Sequence, residues 1–128
     1  MEGIMGDRRM AEIRTAKGSL YVYTHWHGYD FPNMARAAIA ASAPRRGDSA
    51  YEVRILVDQL TAPGRDRETG FGLMLGPDAE DSYNGDSPSI IIDLTTNTLT
   101  VLGEGAMPPT LFTALVTVNA GSVAFILA

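Results

Sequence analysis

Between Gly18 and Pro32 the chain changes its hydrophobic period, and that change limits what it can fold into. Leu20–His25 alternates and is rich in Tyr, Val and Thr, the pattern of a half-buried strand. Alternation puts Leu20, Val22 and Thr24 on one face and Tyr21, Tyr23 and His25 on the other. Gly28 breaks the run. Asp30 then serves as a helix N-cap, with Pro32 in the first turn, where its missing N–H costs nothing. The spacing predicts a helix over Asn33–Ser42 that buries Met34, Ala38 and Ile39, helped by Ala35 and Ala41. A second helix, Ala50–Leu60, is capped by Asp48 or Ser49 and carries the stripe Val53, Leu56, Val57 and Leu60. On that helix Tyr51, Arg54 and Asp58 share one face.

The remaining segments favour extended chain. Ala11–Thr15 forms a short strand, with Ala16–Ser19 as a turn into the next. Thr69–Leu75 is a strand with two glycines, where something can approach the backbone closely. Ser89–Leu94 and Leu99–Leu102 make a hairpin around Thr95–Thr98. From Gly105 onward no residue is charged. Leu111–Ala128 is long enough for a membrane span of about 18 residues, but Thr113, Thr117, Asn119, Gly121 and Ser122 interrupt it and no Lys or Arg flanks it. Val116–Val118 and Val123–Leu127 fit a second hairpin better, with an oligomer interface as a use for its apolar surface. The expected fold is α+β: an antiparallel β-sheet of six or seven strands, two helices inserted after the second strand, and a C-terminal β-hairpin. Residues 1–128 make a single domain, with 1–10 a loose leader and 105–128 the apolar hairpin.

Composition narrows the chemistry. The 128 residues include no cysteine, which removes disulfides, thiolate catalysis, zinc fingers and iron–sulfur clusters, and suggests a reducing cytoplasm. No apolar run opens the chain, so no signal peptide is expected. A net charge of −5 argues against binding duplex nucleic acid, which needs a basic face. The ten basic residues are all arginines but Lys17, and arginine forks carboxylates and phosphates bidentately. A small anionic ligand stays in play, whereas a membrane partner does not.

The densest chemistry is Tyr23-Thr24-His25-Trp26-His27, with both histidines and the only tryptophan. On a strand the two imidazoles would point the same way, and with Asp30 they would form a two-histidine, one-carboxylate metal site. The alternative is a core histidine and a rim histidine, with no metal and no cofactor. There is no Gly-x-Ser-x-Gly, and no serine is evidently paired with a histidine. Gly70-x-Gly72-x-x-x-Gly76 is neither a Rossmann nor a P-loop fingerprint. The acidic loop 78–86 has Ile91 where a calcium loop needs its bidentate Glu. What remains is an aromatic and arginine set. Tyr21, Tyr23, Trp26 and Tyr29 offer faces on which a base could stack, and Arg14, Arg36 and Arg54 could reach phosphates.

The run Gly18–Gly28, then Pro32, Tyr51-x-x-Arg54-Ile55, and Thr69-Gly70-Phe71-Gly72 resembles a family of small proteins of phages, prophages and actinobacteria. Its members carry Tyr-x-Tyr-Thr-His-Trp-x-Gly, and the resemblance covers roughly residues 18–94. His27 falls at that motif's variable position, which lowers the metal reading. No activity is established for the family, so the resemblance implies a context, a phage accessory protein in a bacterial host cell. The leading expectation is a non-enzymatic homo-oligomer that sequesters a nucleotide-like immune signal of an anti-phage defence system. Its site would draw on Tyr23, Thr24, His25, Trp26, His27, Tyr51, Arg54, Thr69 and Phe71. The alternatives are a metal-dependent enzyme using His25, His27 and Asp30, and a protein inhibitor of a host factor.

Overall fold

The computed structural model describes residues 6–76, 87–103 and 109–115. Six strands form one sheet in the order β3-β2-β1-β4-β5-β6. They are β1 (Arg9–Thr15), β2 (Gly18–Thr24), β3 (Phe71–Leu75), β4 (Ile90–Asp93), β5 (Thr98–Val101) and β6 (Thr110–Leu111). Helices α1 (Phe31–Ser42) and α2 (Ser49–Thr61) lie between β2 and β3. The second proposed hairpin, over 116–127, lies outside the described residues. Residues 112–115, just ahead of it, are helical.

One sheet face carries the core. Ala11, Ile13, Val22, Ile90, Ile92 and Leu99 meet Phe31, Ala35, Ala38 and Ile39 of α1 and Leu56 and Leu60 of α2. Each fully buried large side chain contributes about 1.5–3 kcal/mol, so this layer fixes how the helices sit. Alternation in β2 falls as its pattern requires, with Val22 under the helices and Tyr21 on the far face beside Met10 and Met74. The β4–β5 hairpin also forms as its turn residues suggest. Asn97 takes a positive φ of 57°, and the Asp93 carboxylate accepts the Thr95 N–H at 2.9 Å.

Three expectations are corrected. The sheet is mixed, because β4 runs parallel to β1 with Ala11 opposite Ile90 and Arg14 opposite Asp93. The helical crossover returns β3 to the outer edge of β2, and the chain then passes to the other side of β1, a step that no local turn signal announces. Strand β1 begins at Arg9 and Met10 is buried, so the strand takes in the end of the stretch assigned to a loose leader. Asp30 and Asp48 are the N-cap residues, but neither carboxylate caps its helix. Their carbonyls accept the Met34 and Glu52 N–H groups instead, each at 2.9 Å.

Candidate functional site

Strand β2 stops at Thr24, and the His25-Trp26-His27 segment bends away from the sheet. Thr24 is fully buried, and its hydroxyl accepts the His27 N–H at 3.1 Å, which sets the bend. On one side the His25 N–H donates to the Gly70 carbonyl at 2.9 Å. On the other, the segment ahead of β1 clamps the loop. The Asp7 N–H donates to the His25 carbonyl at 2.6 Å, and the Asp7 carbonyl accepts the Gly28 N–H at 2.8 Å. The Asp7 carboxylate takes the Tyr29 N–H at 2.7 Å. The approach is so close that a Cβ on Gly28 would stand 2.6 Å from the Asp7 carbonyl oxygen, and one on Gly6 2.7 Å from His25 Nε2. Glycine is therefore required at both positions.

The bend leaves Trp26 about half exposed, at 54%. Trp26 belongs to two clefts. The first, of about 380 Å³, is lined by Tyr23, His25, Trp26, Glu68, Thr69, Gly70 and Phe71. The second, of about 290 Å³, shares Trp26, Thr69, Gly70 and Phe71 and adds His27, Pro63, Gly64 and Arg67. His25 meets the Trp26 ring edge to face with centroids 4.4 Å apart, and its Nδ1 shares a hydrogen bond of 2.9 Å with the Tyr23 hydroxyl. His27 stacks on Phe71 at 5.5 Å and 15°.

Because the strand ends before His25, the period-two argument for a shared metal loses its basis. One imidazole faces the first cleft and the other the second. Asp30 is exposed at the start of α1. Among the described residues no three His, Asp or Glu side chains converge on a point that could hold a metal.

Of the predicted site residues, Tyr23, His25, Trp26, His27, Thr69 and Phe71 come together around these clefts. Tyr51 and Arg54 do not line them. Both are exposed on the outer side of α2, where the Arg45 guanidinium lies 4.9 Å from the Tyr51 ring centroid. The other arginines proposed for phosphate are occupied elsewhere. Arg36 donates to the Asn33 side chain at 2.9 Å. Arg14 lies on the sheet face away from the helices, donating to Glu12 at 2.9 Å with Asp93 at 3.6 Å.

The cleft residues that sequence reasoning does not single out are Pro63, Gly64, Arg67 and Glu68, in the connection between α2 and β3. Arg67 is exposed, and no carboxylate pairs with it among the described residues. The available signal was weak: a charged turn immediately ahead of a Gly-containing strand. The electrostatics of the two clefts consequently differ. The first carries the Glu68 carboxylate and a Tyr–His hydrogen bond, whereas the second carries a guanidinium.

Compared with known protein families, with characterised proteins and with solved structures, the chain matches none.

Proposed function

We propose that this protein binds a small anionic ligand of nucleotide type around Trp26 and holds it without chemical change. The observation that carries the reading is the half-exposed Trp26 standing between two clefts, one of which is lined by the exposed Arg67. A base stacked on an aromatic side chain gains about 1–3 kcal/mol, and an arginine fork supplies the charge-assisted bonds a phosphate needs. The first cleft, at about 380 Å³, has room for a base and sugar. Glu68 and Thr69 would supply acceptors and a donor there. The phosphate role moves from Arg54 to Arg67.

The resemblance over residues 18–94 supplies only a context, a phage accessory protein, and within it we extend the binding reading to sequestration of a nucleotide immune signal of the host. Trp26 is the only tryptophan, so its emission reports this site alone. The test titrates emission with mono-, cyclic and ADP-ribose-type nucleotides and reads the bound mass by native mass spectrometry. A saturable change with one nucleotide class, released chemically intact, is the expected result. A flat emission and no added mass across the panel would overturn the proposal, and a nucleotide released in altered form would overturn its non-enzymatic part.

A further inference from the structure

Strand β3 ends the sheet, and one row of its backbone groups has no partner among the described residues. The His25 N–H reaches the Gly70 carbonyl and the Gly76 N–H reaches the Ser19 carbonyl. The ladder bonds to β2 therefore fall on Gly70, Gly72, Met74 and Gly76. Alternation turns the N–H and C=O of Phe71, Leu73 and Leu75 outward. Their side chains lie on the helix-bearing face, where Phe71 packs against Phe31 of α1 while Leu73 and Leu75 reach past the helices and stay 51% and 79% exposed. Exposed edges of soluble proteins are normally blunted by a charge, a proline or a bulge. Phe71–Leu75 has none of these, whereas the opposite edge, β6, is only two residues long.

We infer that β3 pairs antiparallel with β3 of a second copy about a two-fold axis at Leu73, joining the two sheets and bringing the partner copy against the Trp26 clefts. The strand is its own complement. Centred on Leu73, the register sets Leu73 against Leu73 and Phe71 against Leu75, so every outward N–H and C=O of the three residues is used. A shift in either direction leaves some of them unpaired. The net charge of −5 opposes self-association in general, but none of it lies on this strand, so the pairing brings no like charges together. Narrow pairs hold Cα atoms about 5.5 Å apart, which puts Leu75 of one copy beside Phe71 of the other. Phe71 lines both clefts, so the dimer supplies an apolar residue to their rim. The pairing stands without a ligand, and only its consequence for the clefts rests on the function proposed above.

The absence of cysteine makes the test direct. Untagged protein is expected to be a dimer by native mass spectrometry and light scattering, and Leu73→Lys a monomer with unchanged circular dichroism. Leu73→Cys should oxidise to a covalent dimer, since the facing Cα atoms fall within disulfide range. Leu75→Cys should not, because the two copies of residue 75 stand roughly 14 Å apart in this register. A monomeric wild type, or Leu75→Cys cross-linking as readily as Leu73→Cys, would overturn the pairing. Trp26 emission reads ligand binding separately. A dimer that binds no nucleotide thus fails the ligand alone, and a monomer that binds one fails the pairing alone.

Discussion

The Tyr23 hydroxyl and His25 Nδ1 lie 2.9 Å apart on the wall of the larger Trp26 cleft, with Tyr23 only 5% exposed. The bond between the two side chains ties the imidazole ring in place against Trp26. Tyr23→Phe keeps the aromatic ring and removes that tie. The expected cost is about 1 kcal/mol of stability, together with a shift of the His25 ring nitrogens in the NMR spectrum. Unchanged nitrogen resonances would show that the bond does not hold the ring.

Arg67 and Arg54 separate the phosphate readings. Arg67→Ala should weaken nucleotide binding about ten- to a hundredfold, the range for a charged hydrogen bond of about 1.5–3 kcal/mol. Arg54→Ala, on the outer face of α2, should change it by less than about twofold. Titrating Trp26 emission measures both. The reverse order of effects would return the anion to α2.

What was legible in the sequence was whatever short-range pattern encodes. The 3.6-residue stripe of Leu56 and Leu60, the alternation of β2 and the turn before Thr98 all appear where local spacing puts them. The parallel β1–β4 pair was not legible, because a crossover leaves no mark on either strand. The site was half legible. Trp26 and its histidines stand out by residue type, but their relation depends on β2 ending at Thr24 and on Asp7 holding the bend, both tertiary facts. Arg67 looked like any surface charge until the fold set it beside Trp26.

Glu52 was an unexpected buried charge on the inner side of α2. Its carboxylate, 3% exposed, takes a 2.6 Å bond from Arg46, which also donates to the Ile39 carbonyl at 2.9 Å and the Ser42 hydroxyl at 3.1 Å and lies 4.7 Å from the Phe112 ring centroid. This one guanidinium ties the end of α1 to α2 and to residue 112. The Arg46 side chain is 23% exposed and keeps its bonds to Ile39 and Ser42 when Glu52 is removed, so Glu52→Ala should cost about 1–3 kcal/mol. Urea unfolding measures it, and a loss below about 1 kcal/mol would mean the pair is not a structural tie.

The sheet face away from the helices gives the protein an acid-sensitive element. Burial by itself would raise the Glu12 carboxyl, but the hydrogen bonds from Arg14 and Ser19 outweigh it and hold it below its ordinary value of 4.5. Asp93 behaves likewise: burial pushes it up, while bonds from Thr95 and Thr96 and the nearby Arg14 bring it below 3.8. A carboxyl depressed on folding binds fewer protons in the native state than in the unfolded one. Its contribution is therefore complete above the unfolded value and fades as pH falls through the folded one. Wild type should lose stability as pH falls below about 4.5, the ordinary Glu value. Glu12→Gln should start less stable at pH 7 and fall less steeply, so that the two curves converge in acid. Urea unfolding at a series of pH values reads this directly, and curves that stay parallel to pH 3 would show that the Arg14 network does not set the acid response.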